Sequence, residues 1–290
     1  MMKFLTLLCI LPSLHTVGQF VKLEWKIGEN EEVNYVTVMS PSGNSNISMN
    51  DEKIADPYRD SSENHISKEK EMLEEFDQVM NNTAMISKLT NNGSGIIDVV
   101  ITTSPNGKPC NGEMEKEDSL GNEMQQIAWQ MNKGVILRGS VYATGGIHSF
   151  WVTNNQKGII STFFELPQYP VKIGDTWKLD INFLEIDQSF RCDSSYHINE
   201  VTLTDIRKIN GETIASLKYN IIEYVEGTMN FPVFINENNE QKAKRYYSFN
   251  AVAEFSVDRG RWVSYEGVSS FDQDDIMTFN YKLRHALISK

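Results

Sequence analysis

Apolar and polar side chains alternate along most of this chain. From Val21 to Met39, from Ile96 to Thr103 and over long stretches after Trp177, apolar residues recur at every second position. Successive side chains of a strand point to opposite faces of its sheet, so a period of two predicts strands with one buried face. Turn dipeptides such as Asn210-Gly211 separate the runs and predict hairpins. The pattern indicates a mainly β, antiparallel protein.

The predicted strands cover both halves of the chain. The first prediction is a hairpin over residues 21–39 with its turn at Gly28-Glu29. The further strands are predicted at residues 96–103, 135–143, 147–153, 159–166, 177–191, 196–209, 213–226, 246–257, 262–271 and 276–288.

Two segments follow a helical period instead. In residues 67–90, apolar side chains recur at steps of three and four, with Ser67 as a capping residue and Asn91-Asn92-Gly93 as a stop signal. Residues 122–132 place Met124, Ile127 and Met131 on one face in the same way. We therefore expect two amphipathic helices packed on the sheet, which makes the class α+β.

The most strongly patterned stretch is residues 166–177. Two prolines confine it to extended geometry, and Gly174-Asp175 predicts a tight turn. Trp177 then opens an alternating run, so its side chain is expected to point inward together with Leu179 and Ile181.

This stretch reads Leu-Pro-x-x-Pro-Val-Lys-x-Gly-Asp-x-Trp and resembles the hallmark of a family of exported bacterial proteins of unknown function. Residues 255–264, FSVDRGRWVS, resemble the late hairpin of the same family. The resemblance implies a curved antiparallel sheet or half-barrel with helices in its concavity, similar to periplasmic lipoprotein carriers. It implies no catalytic residue, because the activity of the family is unknown.

An internal echo predicts two related halves. Ile27-Gly28-Glu29 precedes one strand much as Ile173-Gly174-Asp175 precedes another. On this basis residues 20–165 form an N-terminal β-rich half that carries the helices, and residues 166–290 form a C-terminal antiparallel half. The alternative is that the echo reflects only the general likeness of hairpins.

The N-terminus has the pattern of a secretory signal. Lys3 precedes a short apolar run, and Gly18 supplies a small residue before a cut near Gln19 or Phe20. We expect residues 1–19 to be a signal peptide and the protein to be exported, to the periplasm or the extracellular space. No segment approaches the roughly 20 apolar residues of a transmembrane helix. With 39 acidic against 27 basic residues and a net charge of −12, nucleic acid is a poor partner.

Two cysteines remain beyond the predicted signal. Cys110 and Cys192 can form one disulfide in an oxidising compartment, although nothing local brings them together and two unpaired thiols are the favoured state.

The sequence offers no chemical motif. Its histidines beyond the signal, His65, His148, His197 and His285, are isolated, and none belongs to a zinc-binding frame. We therefore assign no catalytic or metal-binding residue and expect no cofactor. The leading hypothesis is an exported non-enzymatic binding or structural protein. The alternative is an exported hydrolase whose site is assembled from distant carboxylates, which would leave no local motif.

The aromatic residues carry the binding hypothesis. Trp151, Trp177 and Trp262 lie on predicted strands, where they can line an apolar concave face that binds an apolar small molecule or another envelope protein. The competing interpretation makes them core residues covered by the predicted helices, and two apolar helix stripes need such a partner.

Overall fold

Strands dominate the architecture. The computed structural model of the protein describes residues 19–41, 46–49, 83–91, 93–105, 134–151, 154–184, 190–230, 240–274 and 277–289. Within these ranges there is one helix, α1 (Asn154–Phe164). The strands are β1 (Glu32–Pro41), β2 (Asn46–Met49), β3 (Thr83–Asn91), β4 (Ile96–Pro105), β5 (Gly134–Tyr142), β6 (Ile147–Trp151), β7 (Thr176–Trp177), β8 (Phe190–Ile209), β9 (Glu212–Asn230), β10 (Glu240–Ser256), β11 (Arg261–Asp274) and β12 (Met277–Ser289).

The strands form one hydrogen-bonded path in the order β6-β5-β4-β3-β1-β12-β11-β10-β9-β8-β7. Strand β2 lies off this path and pairs with β12. Every paired strand runs antiparallel to its neighbour. The first strand β1 pairs with the last strand β12, with Tyr35 opposite Ser289. The mainly β, antiparallel class predicted from alternation is confirmed.

The turn between β8 and β9 forms where the sequence predicts it. Asn210 and Gly211 have φ angles of 52° and 85°. Two consecutive residues with positive φ define the turn type that joins strands with the natural right-handed twist. Asn and Gly accept this conformation most readily, so the dipeptide fixes the register of the two longest strands.

The prediction of two helices on the sheet is not borne out. Residues 83–90 of the first predicted helix belong to β3, where Met85, Ser87 and Leu89 are buried. Met85 and Leu89 are four residues apart, a spacing that fits both a helical and a strand period. Pairing with β1 and β4 makes this segment a strand. The rest of that helix, residues 67–82, and the whole of the second, residues 122–132, lie outside the described residues.

Helix α1 forms where a strand was predicted. The β-branched and aromatic run at residues 159–164 is typical of a strand, so the predicted strand at 159–166 is wrong. From Ile160 to Phe164 every side chain is at most 6% exposed. These five residues span more than one helical turn, so this end of the helix is buried on all sides and shows no amphipathic stripe from which a helical period could be recognised.

Aromatic side chains cap the C-terminal end of α1. The last carbonyl groups of a helix have no partner inside it. Here Tyr265 Oη donates to the carbonyl of Thr162 at 3.3 Å. Trp262 Nε1 donates to that of Phe163 at 2.7 Å, and Trp25 Nε1 to that of Phe164 at 2.9 Å. The indoles thus satisfy buried helix carbonyls and pack against each other, edge to face, with ring centroids 6.0 Å apart.

The N-terminal segment 19–31 is extended but does not form the predicted hairpin with β1. Val21, Leu23, Trp25 and Ile27 are buried and alternate with more exposed residues. Among the described residues the segment makes isolated backbone contacts with the rest of the chain, through Val21 to Val171, Trp25 to Ala143, Lys26 to Gly260 and Glu29 to Asn91. Alternation reports an extended chain with one buried side, and it does not specify a ladder partner.

A similar correction applies to the strand predicted at residues 177–191. Trp177 pairs in a ladder at the end of β7, Phe190 and Arg191 already belong to β8, and residues 178–184 between them pair with no strand among the described residues. The following residues keep the predicted alternation, because Trp177 and Leu179 are buried, Ile181 is partly buried, and Lys178 and Asp180 are exposed. The inward orientation of Trp177 is confirmed, while its strand ends after two residues.

The core draws on both sides of residue 165. Its largest cluster includes Leu23 and Val99 together with Val201 and Phe255, and α1 lies within it. A smaller cluster of Leu184, Phe190, Val225 and Ala243 covers the far end of β8–β10. The division into two related halves stays a prediction.

Buried tyrosines predict how the fold responds to alkali. Burial raises the pKa of Tyr35 to about 12, and it raises the pKa values of Tyr219 and Tyr265 further above their usual range. An unfolded tyrosine ionises near pH 10. The folded pKa values exceed the unfolded ones, so this contribution to stability is complete below about pH 10 and is lost as the pH rises through the folded values.

We therefore expect tyrosine absorbance during alkaline titration to rise in two stages. The second stage should coincide with loss of near-ultraviolet circular dichroism. Ionisation of all 11 tyrosines in one step near pH 10, with the dichroism intact, would contradict this account of the core.

Candidate functional site: an open cleft beside strand β8

The three tryptophans predicted to bind a ligand occupy different environments. Trp262 is 1% exposed and Trp177 is 7% exposed, whereas Trp151, on strand β6 at one end of the path, is 81% exposed. Two of the three are therefore core residues with almost no accessible surface, and the structure does not bring the three side chains to one surface. A ligand-binding role for them stays a prediction.

Trp177 differs from the other buried indoles in one respect. Its Nε1 has no hydrogen-bond partner among the described residues, whereas those of Trp25 and Trp262 each donate to a helix carbonyl. We expect Trp177→Phe to cost less than about 1.5 kcal/mol, because it removes a buried donor that makes no bond.

The matched substitution Trp262→Phe should cost more, since it also leaves the carbonyl of Phe163 unpaired. Urea denaturation of both variants measures the difference. Equal costs would show that the indole hydrogen bond at position 262 contributes nothing.

The cleft begins where residues 178–184 separate from β8. Just before that point, Leu203 of β8 still exchanges backbone hydrogen bonds with Gly174 and Asp175. At Leu179 the side-chain amide of Asn199 replaces the backbone of β8. Asn199 Oδ1 accepts from Leu179 N at 3.0 Å, and Asn199 Nδ2 donates to Leu179 O at 2.6 Å. The amide inserts between two backbones that would otherwise pair, which opens a gap along β8.

Glu223 on β9 holds the far end of the crossing segment. Its Oε2 accepts hydrogen bonds from the backbone N–H groups of Phe183 and Leu184, both at 2.8 Å. Two bonds to one carboxylate oxygen replace the ladder partners that this stretch of backbone lacks. Phe183 also stacks on Tyr247, with ring centroids 4.2 Å apart. The segment is therefore fixed at both ends by single side chains.

His197 lies directly opposite Glu223 in the register of β8 and β9. Residues opposite each other in an antiparallel pair have their Cβ atoms about 4.5–5.5 Å apart and point to the same face. The imidazole is exposed, and the glutamate is partly buried. The site thus places a titratable ring beside a carboxylate that already holds main chain.

The direction of the backbone groups defines the wall of the cleft. Leu203 directs its N–H and C=O away from β9, because both bond to residues 174–175. Between residues 194 and 203 the ladder with β9 is regular. Alternate residues of an antiparallel strand direct their backbone groups to the same side. It follows that Ser195, His197 and Asn199 direct theirs away from β9 as well, toward the cleft.

The cleft has a volume of about 240 Å³. This lies below the ~300–1,000 Å³ of a typical small-molecule site. Five consecutive residues of β8 contribute to it, as expected of a wall made from a strand edge. The lining consists of Asn182, Leu184, Ser195, Tyr196, His197, Ile198, Asn199, Glu223, Tyr224 and Val225.

The chemistry of this lining is mostly that of hydrogen bonding. Glu223 is its one carboxylate, and burial together with the charge of Glu223 raises the pKa of the neighbouring Tyr247 phenol. Tyr224 donates to Glu226 at 2.8 Å, and this hydrogen bond raises the pKa of Tyr224. The cleft can therefore accept and donate hydrogen bonds and can attract a cation.

A serine–histidine pair occurs elsewhere in the described residues. Ser140 Oγ lies 2.9 Å from His148 Nδ1 and 2.7 Å from Ser149 Oγ. Ser140 is only 4% exposed, so its hydroxyl cannot reach a substrate as a nucleophile must. This pair is better explained as a hydrogen-bonded contact between β5 and β6.

The remaining predictions about sites have limited outcomes. Cys192 is exposed, and its Sγ donates to the carbonyl of Ser194 at 3.3 Å, while Cys110 lies outside the described residues, so the bridge stays a prediction. In the described part of the chain, no three His, Cys, Asp or Glu side chains converge as a metal site requires. Within the same ranges no helix has the length and apolar character needed to cross a membrane.

Sequence reasoning missed the residues that shape the cleft. His197 was noted only as an isolated histidine, and neither Asn199 nor Glu223 was singled out. A signal was present, because Tyr219, Ile221, Glu223 and Val225 share one face of β9 and three of the four are buried and apolar. A glutamate within a buried apolar row needs a partner, and here the partner is the crossing backbone.

Comparison of the sequence with known protein families gives no matching family, and comparison with curated proteins gives no match either. The resemblance to the exported bacterial family therefore rests on the two stretches of sequence alone.

Proposed function

We propose that this chain is an exported, non-enzymatic binding protein whose ligand occupies the cleft beside β8. The observation that carries the proposal is the gap between β8 and residues 178–184, kept open by Asn199 and Glu223. Ten residues line that gap, five of them consecutive residues of β8. A wall that combines backbone groups with polar and apolar side chains suits recognition.

The lining supports binding rather than hydrolysis. A carboxylate-based hydrolase needs two carboxyl groups on opposite sides of the reacting bond. The lining contains only Glu223, and one of its oxygens already accepts two backbone hydrogen bonds. The volume of the cleft does not favour the apolar small molecule expected from the tryptophans, since about 240 Å³ is small for a lipid-sized ligand.

One observation favours the hydrolase alternative. His197 faces Glu223 across the strand pair, and a histidine beside a carboxylate is the usual composition of a general base. In this alternative His197 would take a proton from water while Glu223 orients the ring.

Binding is tested by protein-observed NMR with a library of polar and apolar fragments. We expect hits to shift the amide signals of Ser195–Asn199. Ser195→Trp should abolish these shifts, because an indole on this exposed position fills the cleft. Lys218→Trp, at an exposed position of β9 outside the lining, is the matched control and should bind as the wild type does. Hits that avoid residues 195–199, or that survive Ser195→Trp, would contradict the proposal.

The same preparation separates the two functions. Ester, glycoside and peptide substrates should show no turnover above the buffer rate. Turnover that His197→Gln abolishes would establish the hydrolase instead. Export is tested by N-terminal sequencing of the protein from its native host, where we expect a start near Gln19 or Phe20 and an intact Met1 would refute it.

A further inference from the structure

We infer that the ligand of the cleft is an extended peptide segment of another protein, which pairs with the open edge of β8 as an added strand. This inference rests on the proposed function, since it names the class of ligand for the same site. The occupant is identified by the backbone groups that face the cleft, by the continuation of β7 and by the charge of the lining.

Backbone direction supplies the first argument. Ser195 and His197 direct their N–H and C=O groups away from β9, and no described strand pairs with them on that side, whereas at Asn199 the side-chain amide and Leu179 already occupy this edge. Such a row is complementary to the backbone of an extended peptide. A compact small molecule can satisfy one such pair, whereas a strand satisfies both.

The position of β7 supplies the second argument. Residues 174–177 already pair with residues 201–203 of β8 along the same edge. The chain then departs across the sheet, so the ladder stops although β8 continues. A peptide running antiparallel to β8 would extend that ladder past Asn199. At about 3.4 Å per residue, the edge from Ser195 to Asn199 takes a segment of roughly five residues.

The size of the cleft fits this occupant. A strand added to an edge lays its backbone along the edge and directs alternate side chains to each face of the sheet. A volume of about 240 Å³ is small for a whole ligand but sufficient for one or two side chains of a peptide.

Charge indicates which side chains are preferred. Glu223 is the one acidic residue of the lining, which contains no lysine or arginine. Along β8, Asp193 and Glu200 flank the edge and are exposed, and the nearest cation of this strand, Arg191, lies beyond Asp193. Basic side chains on the peptide would therefore find complementary charge.

The experiment uses a fluorescein-labelled peptide, acetyl-Thr-Lys-Val-Lys-Val-Lys-Thr-amide, and fluorescence anisotropy with the full chain. His197→Pro removes the N–H that faces the cleft and leaves the bonds to β9 intact, a placement that edge strands tolerate. His197→Ala keeps the N–H and is the matched control. We expect the proline variant to bind about tenfold more weakly than the alanine variant, as loss of one backbone hydrogen bond allows.

A second measurement does not depend on the fold of a variant. Two further peptides carry N-methyl groups at complementary alternate residues, so that only one of them loses the amides that face β8. One methylated peptide should bind as the parent does, and the other should not bind. Equal binding by both, or by both proline and alanine variants, would overturn the inference.

The remaining outcomes are also decisive. If fragments occupy the cleft but none of the peptides binds, the ligand is not a strand, and the inference fails while the proposed function stands. If neither fragments nor peptides bind, both fail. If light scattering shows that the wild type is a dimer which His197→Pro dissociates, the occupant is a second copy of this chain, and the inference is overturned.

Discussion

Trp262→Ala should lower the free energy of unfolding by ~3–5 kcal/mol through lost packing alone. The indole is 1% exposed and contacts the rings of Trp25, Phe255 and Tyr265. Its removal also leaves the carbonyl of Phe163 without its donor at the buried end of α1, at a cost of about 1–3 kcal/mol. Since a typical domain is stable by only ~5–15 kcal/mol, this variant should be close to unfolding at room temperature.

Trp151→Ala is the matched control for this prediction. The indole at 151 is 81% exposed, so its removal should change stability by less than about 0.5 kcal/mol. Chemical denaturation followed by circular dichroism measures both variants. A small cost for Trp262→Ala would show that the aromatic cap does not hold helix and sheet together.

Gly260→Ala should be the second large effect. Gly260 ends the β10–β11 turn with φ of 60°, a conformation that costs other residues about 1–3 kcal/mol. A Cβ atom there would lie 2.4 Å from both Glu24 O and Lys26 N, which are backbone atoms. The N-terminal segment would have to move away, with loss of the Lys26 N to Gly260 O bond and of packing by Trp25.

Comparison with Gly211→Ala separates the cost of displacing packed backbone from the cost of the strained φ angle. Gly211 also has a positive φ, at 85°, but a Cβ there meets no atom within 4 Å. We expect the loss of unfolding free energy in Gly260→Ala to exceed that in Gly211→Ala by about 2 kcal/mol or more, because only Gly260→Ala displaces packed residues. Equal midpoints and slopes in urea would mean that the N-terminal segment contributes nothing at this turn.

Much of the sheet follows from local pattern. Strands β10 and β11 alternate in burial over most of their length, and the β8–β9 hairpin turns at Asn210-Gly211, as the sequence displays. The pattern fails where extended chain is held by something other than a ladder. Residues 21–27 and 178–184 alternate as strands do, yet isolated contacts and side chains hold them.

Helix α1 shows the opposite failure. Its sequence favours a strand, and burial of every residue from Ile160 to Phe164 removes the apolar stripe by which this end of the helix would be recognised. The partners that stabilise it, Trp25, Trp262 and Tyr265, are distant in sequence by about a hundred residues or more. A long-range cap of this kind leaves no signal in the helix itself.

The candidate site could be predicted only in part. The place of Glu223 in an otherwise apolar row can be read from the sequence, whereas the alternation after Trp177 predicts a strand and not a crossing segment. The contact between the two cannot be predicted from the sequence, because Phe183 and Glu223 are 40 residues apart and are joined by a hydrogen bond from backbone to side chain. The sequence cannot separate a ligand-binding tryptophan from a core tryptophan, since aromatic residues occur in both environments.

The central claim is that the edge of β8 is open at Ser195–Asn199. Amide hydrogen exchange, resolved by residue with NMR, tests it most directly. The amides of Tyr196 and Ile198 face β9 and should be protected, whereas those of Ser195 and His197 face the cleft and should exchange rapidly in the free protein. Uniform protection of all four amides would show that another strand or segment already pairs with this edge, and it would contradict the account.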